Sequence, residues 1–392
     1  MISRSLSSGQ KKILGAISLV EFFRMLGIFL ILPIIALYSE KFTSSGILVG
    51  LSVASYEITM ALFQLPMGAL SDKIGRKNAI IIGLIPFVIG NVMCFQAGNL
   101  ETLIAGRFIA GAGAISSPAI AWSQEVVGSE KRSTSMAFVG VAIGMAFLVG
   151  ISFAPLLSSL MGMRNIFLVT AVMGIMSIAV VWIISGGRAP AYHEPYKKNT
   201  FTRWRFIVGI ISFLVSAAAI MIFYLIQVFS VSRYGSAGYE FIFFAPIIVG
   251  GLFAITIGEK YRGNRKGAML SFPIIAGGIA LLFLMNIGGM DPLKLSLILI
   301  PYFMGYSLFE ITLIPMLTSS LRIGKYGSGI GVFYTMQFLG SAAGAIASGV
   351  VIGEDVTRTS LVVALAICIL MSIGSFFVFI GAGIGYPDSV PQ

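Results

Sequence analysis

Charge is scarce in this chain. Asp, Glu, Lys and Arg make up 10% of its 392 residues, against about 25% in a soluble domain. Histidine is almost absent: His193 is the sole copy, and it falls in a polar connection, so a histidine proton relay at membrane depth is excluded. One histidine and no H-E-x-x-H also remove the ligand set of an intramembrane metalloenzyme. The two cysteines, Cys94 and Cys368, lie inside apolar runs and suggest neither a disulfide framework nor a metal site. There is no G-x-x-x-x-G-K-[ST] loop, so nucleotide hydrolysis is not the energy source. No cofactor is implied.

What is abundant is hydrocarbon. Hydrophobic residues make up 57% of the chain and mean hydropathy is +0.97, as expected where a bilayer is the main solvent. A bilayer span needs roughly 20 apolar residues. Twelve such stretches are read, about 13–38, 46–70, 78–97, 102–124, 136–159, 165–185, 206–229, 240–258, 268–288, 294–320, 328–352 and 359–383. The residues before the first, Met1 to Lys12, form a short basic tail leading into a full-length span, so no cleavable signal peptide is expected.

The net charge of +11 does not gather into one patch, which argues against nucleic acid as a partner. Instead the cations fall in short loops. Nineteen Lys and Arg lie in the tails and loops on one side of the twelve spans and five on the other. By the positive-inside rule the richer side is cytoplasmic, so both termini are expected in the cytoplasm and the chain in the cell membrane. The longest polar interruption, 186–205, reads as a cytoplasmic linker between an N-terminal six-helix bundle (1–185) and a C-terminal one (206–392). The expected fold is thus an all-α membrane protein of twelve transmembrane helices in two pseudo-symmetric six-helix bundles.

The most specific stretch is Gly68-Ala69-Leu70-Ser71-Asp72-Lys73-Ile74-Gly75-Arg76-Lys77, between the second and third spans. Gly68 permits close helix approach. Asp72 suits a helix end, Gly75 a turn conformation that other residues resist, and Arg76 and Lys77 a cytoplasmic face. A degraded copy, Gly258-Glu259-Lys260-Tyr261-Arg262-Gly263-Asn264-Arg265-Lys266, follows the eighth span and supports an internal repeat.

The ten-residue stretch resembles the G-x-L-x-D-r-x-G-R-[RK] loop of the major facilitator superfamily. The resemblance extends to its drug:proton antiporter branch and that branch's YajR-type exporters. It is carried by Phe23-Arg24-Met25-Leu26-Gly27-Ile28-Phe29-Leu30-Ile31-Leu32-Pro33 and by Ala137–Gly144 opening the fifth span. It is carried too by Leu308–Pro315 around Glu310, and by Tyr334–Gly340. Together these cover nearly all of 13–383. The fifth-span motif departs from the branch in reading Ala154-Pro155 where Gly-Pro is usual. The chain's end at Gln392 leaves no room for the soluble C-terminal domain of some relatives. The resemblance implies a secondary active transporter, a proton-coupled exporter of amphiphilic or drug-like small molecules working by alternating access as a monomer. The alternative is a proton-coupled transporter of a specific metabolite, sugar or lipid-like solute. An enzyme, a channel and a non-transporting sensor are the rival classes, and no residue pattern here favours them.

Five ionisable residues sit at span depth: Glu21, Arg24, Glu57, Arg107 and Glu310. Such groups are costly in a bilayer, so they pair or line a cavity. Glu21 and Arg24 share a helix face, which allows either a self-contained ion pair or a switchable one. Carboxyls removed from water hold protons more readily, and nearby cations oppose this. Glu57 is therefore either a proton carrier or the permanent partner of an arginine. Arg107 resembles the superfamily's fourth-span arginine, associated with proton coupling. Glu310 matches the branch's tenth-span glutamate and is the sole membrane-depth charge of the C-terminal half, which leaves a substrate or proton role or a structural carboxyl. Gln227, Tyr306, Tyr334 and Gln337 are expected to line the cavity with Glu310. Gly68, Asp72, Gly75, Arg76, Lys77 and Glu125 are expected to form a conformational latch. In it Arg76 pairs with Glu125 and Asp72 pairs with the start of the eleventh span. Gly140 and Gly144, with Gly340 and Gly344, predict close packing between the halves.

Overall fold

The computed structural model describes residues 6–127, 132–184, 203–261, 265–284, 291–319, 326–352 and 357–382. Thirteen helices cover them, and no strand occurs among the described residues. In the first half they are α1 (Ser8–Ile31), α2 (Ile35–Ser39), α3 (Gly46–Ile74), α4 (Arg76–Gln96), α5 (Leu100–Gly111), α6 (Ser116–Val127), α7 (Arg132–Met161) and α8 (Met163–Ile183). The second half has α9 (Arg203–Lys260), α10 (Arg265–Leu284), α11 (Pro292–Ser319), α12 (Tyr326–Ile352) and α13 (Arg358–Ala382). Most of the linker expected at 186–205 and part of the repeat copy at 258–266 lie outside the described residues.

Two expected spans are interrupted for chemical reasons. The first breaks at Pro33, which has no amide hydrogen to donate to the preceding turn; Leu32 keeps helical backbone and Ile34 leaves it, with φ of −128° and ψ of −14°. The fourth is the pair α5 and α6, separated at 112–115. There Gly113 lies so close to α4 that a Cβ would come 2.7 Å from that of Phe87. Gly75 alone separates α3 from α4, and Gly162 alone separates α7 from α8, with φ of +88° and +78°. L-residues with side chains resist that backbone region. A single residue can therefore reverse the chain at both places.

Helix α9 is helical over 58 residues, yet it is not one rod. The Phe303 ring stands 5.6 Å from that of Phe223. A Cβ on Gly250 would come 3.1 Å from the carbonyl carbon of the same Phe303. Twenty-seven residues of straight helix would hold these two positions about 40 Å apart. The chain therefore folds back between Phe229 and Pro246, and its two limbs are the seventh and eighth expected spans. Among the described residues, eleven helical segments are long and apolar enough to cross a bilayer, with Leu100–Val127 counted as one. The second limb of α9 makes the twelfth.

The glycine expectation requires a correction. A Cβ on Gly140 or Gly144 would meet nothing within 4 Å, while one on Gly340 or Gly344 would strike the Phe213 and Ala217 carbonyls of α9 in its own half. The halves are joined closely by other glycines. A Cβ on Gly349 of α12 would strike the Gly46 carbonyl of α3, and one on Gly50 would lie 2.6 Å from that of Ala345. Gly349→Ala is expected to destabilise the purified protein by about 1–3 kcal/mol, the usual cost of overpacking, seen as a lowered thermal midpoint. An unchanged midpoint would mean that α3 and α12 do not rest this close together.

Candidate functional site

Most of the candidate charges meet at the plane between the halves. Arg24 of α1 is fully buried and donates to Glu21 at 3.0 Å, one turn before it. The same guanidinium nitrogen donates to the Ser116 hydroxyl at the start of α6. Arg107 of α5 lies over the Tyr56 ring, 4.6 Å from its centroid. Next along α3 is Glu57, which is buried, acts electrostatically on Arg107 and forms no ion pair among the described residues.

The other half answers with α11 and α12. The Gln337 amide donates to Glu310 at 2.8 Å, and Tyr306 stands within electrostatic reach of the same carboxyl. Tyr306 is also within electrostatic reach of Glu57. Tyr334 stands within reach of Glu310 on one side and of Glu21 and Arg24 on the other. Two tyrosines thus connect Glu310 in the C-terminal half to both arginine–acid groups of the N-terminal half.

Several polar atoms in this cluster are buried without a partner: Arg24 Nε and Nη1, Glu21 Oε1, Arg107 Nε and the Tyr56 hydroxyl. Each such atom costs about 1–3 kcal/mol. Native proteins leave few of them.

Gln227 lies apart from the cluster. It lines a small cleft with Leu32, Val53, Ile220, Phe223 and Tyr224. The wall between cleft and cluster is aromatic: the Phe223 ring is 6.5 Å from that of Phe147, which is 6.2 Å from that of Tyr306.

At the Gly75 end of the bundle, Arg76 joins three groups. It bonds Glu125 at 2.7 Å through Nη2 and at 3.1 Å through Nε, pairs with Asp72 at 2.5 Å, and donates to the Ser71 hydroxyl. The expected Arg76–Glu125 contact is present. Asp72 turns to Arg76, four residues on in sequence, and is largely exposed. The side chains at the start of α12 lie outside the described residues. Lys77 takes no part in this group and instead donates to the Trp182 and Ile184 carbonyls at the end of α8. Gly68 faces α6, where a Cβ would come 2.8 Å from the Ser117 hydroxyl. Gln10 fastens the start of α1 to the opposite end of α6, beside Glu125, donating to the Val126 carbonyl at 2.9 Å.

Sequence reasoning assigned no role to Ser116 or Ser71. Ser116 is 92 residues from Arg24, and a serine beside Ser117 and Pro118 carries no signal of its own. Ser71 lies inside the motif stretch, and one turn from Arg76 it was within reach of inference. Among the described residues, no group of three or more His, Cys, Asp or Glu is arranged to hold a metal ion.

Residues 17–345 match the sequence profile of the Major Facilitator Superfamily, so the chain belongs to that family: it is a multi-pass membrane transporter and not an enzyme. An uncharacterized transporter of Buchnera aphidicola subsp. Schizaphis graminum is 30% identical over 367 residues, which is 90% of this chain and 93% of that protein. The inner membrane transport protein YajR of Escherichia coli K12 is 31% identical over 181 residues, 46% of this chain and 40% of that protein. In architecture the chain is similar to the human organic anion transporter MFSD10 (TETRAN), with a TM-score of 0.71 at 16% identity over 94% of this chain and 99% of that one.

Proposed function

We propose that this transporter is a proton-coupled exporter of amphiphilic or drug-like small molecules, an antiporter that works by alternating access and serves in multidrug efflux. One observation carries the reading: Glu310 accepts from Gln337, and Tyr306 and Tyr334, both within electrostatic reach of Glu310, are also within reach of Glu57 and of the Glu21–Arg24 pair respectively. Carboxyls held there by exchangeable bonds, beside Arg24 and Arg107, are suited to trade a proton for a solute. Glu310, Tyr306, Tyr334 and Gln337 are the solute contacts, with Gln227 nearer the far end. Arg76, Glu125 and Asp72 form the latch, with Gly68 and Gly75 setting its geometry and Lys77 holding α8 beside it. The working unit is a monomer of two bundles, 1–185 and 206–392, with 186–205 as linker and both termini in the cytoplasm. The amide and hydroxyl groups around Glu310 favour one second reading, proton-coupled transport of a specific metabolite, sugar or lipid-like solute.

In proteoliposomes the purified protein is expected to move a lipophilic amine with saturable kinetics, to accumulate it when a pH gradient is imposed, and to lose accumulation when a protonophore is added. Saturable movement that ignores the pH gradient would remove the proton from this reading. Conductance without saturation would remove the transporter mechanism.

A further inference from the structure

Two glutamines between the charged cluster and the Gly75 end belong to neither group. Gln64 of α3 is 0% exposed and Gln124 of α6 is 4% exposed. In each, Oε1 and Nε2 both lack a hydrogen-bond partner. A buried amide without partners is a substantial penalty in apolar surroundings, and native proteins leave few polar groups in that condition. On a membrane helix, leucine or methionine would fill the same volume without it.

The helix period brings these amides into one row. On α3, Glu57, Gln64 and Ser71 are seven residues apart. Seven residues make nearly two turns, so the three share a face at steps of about 10 Å. Gly68 lies on the same face and meets α6, where its Cβ would come 2.8 Å from the Ser117 hydroxyl. Gln124 is seven residues beyond Ser117 and so shares the face of α6 that meets α3. The row has polar groups at both ends. At one stand Glu57 and Ser116, the hydroxyl that Arg24 holds. At the other stand Ser71 and Glu125, both bonded to Arg76. Arg24 is paired with Glu21, and Arg76 with Glu125 and Asp72, so neither arginine leaves bare positive charge against the row.

Each amide offers both an acceptor oxygen and a donor nitrogen. A cation would satisfy the oxygens alone, and an anion the N–H groups alone. Water satisfies both, and buried water joins polar groups of this kind.

We propose that the seam between α3 and α6 is the inner route of the proton: Gln64 and Gln124 hold a single file of water between Glu57 and the Arg76–Glu125 group, and the proton leaves the cluster along it. The Glu57 carboxyl gives its proton to the first water and becomes a carboxylate. Each water takes up one proton and passes another on, and the last gives one to bulk water at the Gly75 end. Nothing is oxidised and no further reactant is needed. The amides carry no proton; they are positioning residues that fix the waters. Glu310 belongs to the other half, so its proton reaches the file only after crossing to Glu57 past Tyr306, which is within reach of both. That crossing keeps the file from short-circuiting the exchange. A file one water wide stays closed to solutes and to alkylating reagents. The proposal rests on the proton-coupled reading for its place in transport; as a proton route it stands on the seam alone.

The test follows deuterium into the Glu57 carboxyl of the detergent-purified full chain. On mixing with heavy water at mildly acidic pH, the C=O stretch of a protonated carboxyl shifts down, and stopped-flow infrared spectroscopy times the shift. The Glu57 band is the one lost in Glu57→Gln. Gln64→Met and Gln124→Met keep length and lose both polar atoms, and each is expected to slow the exchange by about tenfold, the value of one hydrogen bond. Gln64→Ser, which leaves a hydroxyl and room for one more water, is expected to exchange at close to the wild-type rate. A packing role for Gln64 predicts the reverse order, because methionine conserves volume and serine opens a cavity. Wild-type exchange in both methionine variants would overturn the proposal, as would the reverse order or a wild type without a Glu57 band. Slowed exchange in the methionine variants, together with proteoliposomes that ignore a pH gradient, would leave the route standing and remove the proton from the transport reading.

Discussion

Glu310→Gln is expected to abolish proton-driven accumulation of solute while leaving exchange down a solute gradient partly intact. The substitution replaces a group that can hold a proton with one of the same shape that never releases it. The Glu310 oxygen accepts from the Gln337 amide at 2.8 Å, and an amide oxygen can accept there equally. The cluster should therefore assemble, and only the exchange of charge is lost. A pH difference of one unit is worth about 1.4 kcal/mol per proton, enough for roughly tenfold accumulation. In the variant this ratio is expected to fall to about one. Counterflow between two pools of the same solute needs no net proton movement and should persist. If Glu310→Gln still accumulates solute under an imposed pH gradient, the coupling carboxyl is elsewhere. Glu57, near Arg107 and within reach of Tyr306, is then the next to exchange.

The same cluster illustrates what a sequence can disclose about a membrane protein. Charges at span depth are conspicuous against hydrocarbon, so Glu21, Arg24, Glu57, Arg107 and Glu310 were legible as a set. Their grouping was not, because it depends on which helix faces which. Nothing local to Tyr334 says that it reaches Glu310 on one side and Arg24 on the other. Turns were legible where one residue must do something unusual: Gly75 with φ of +88° lies in a stretch whose charges already required a hairpin. The break at Pro33 had its signal in the sequence, since a proline has no amide hydrogen to donate to the preceding turn, yet hydropathy alone runs through it. Glycine spacing disclosed that a helix has a flat face and could not disclose the neighbour. Gly340 and Gly344 pack inside their own half, while Gly46, Gly50 and Gly349 join the two halves. Lys77 shows the limit of motif reading. It belongs to the most recognisable stretch of the chain, but its hydrogen bonds end on α8.

Arg76→Ala is expected to open the Gly75 end of the bundle by about tenfold in population. Arg76 makes two bonds to Glu125, one to Asp72 and one to Ser71. It thereby ties the α3–α4 hairpin to the end of α6, which α1 also grips through Gln10. Exposed ion pairs are worth at most about 1 kcal/mol each. Arg76 is 18% exposed and Glu125 32%, so their pair lies at the upper end of that range, and the bond to Ser71 adds to it. A combined loss of about 1.4 kcal/mol changes an equilibrium tenfold, and conformational states a few kcal/mol apart respond to shifts of that size. The reporter is Gln64→Cys, placed in a chain whose Cys94 and Cys368 are replaced by alanine. Gln64 is fully buried on α3, one turn from the Gly68–Ser117 contact, so a thiol there reacts only when this end opens. Arg76→Ala is expected to speed its alkylation by about tenfold and to lower transport. Asp72→Asn is expected to do both more weakly, because Asp72 is 65% exposed. Exchanging the pair, Arg76→Glu with Glu125→Arg, is expected to recover part of the slow alkylation. Alkylation at the wild-type rate in Arg76→Ala, with transport intact, would show that this group is a surface ion cluster and that the closed end is held elsewhere.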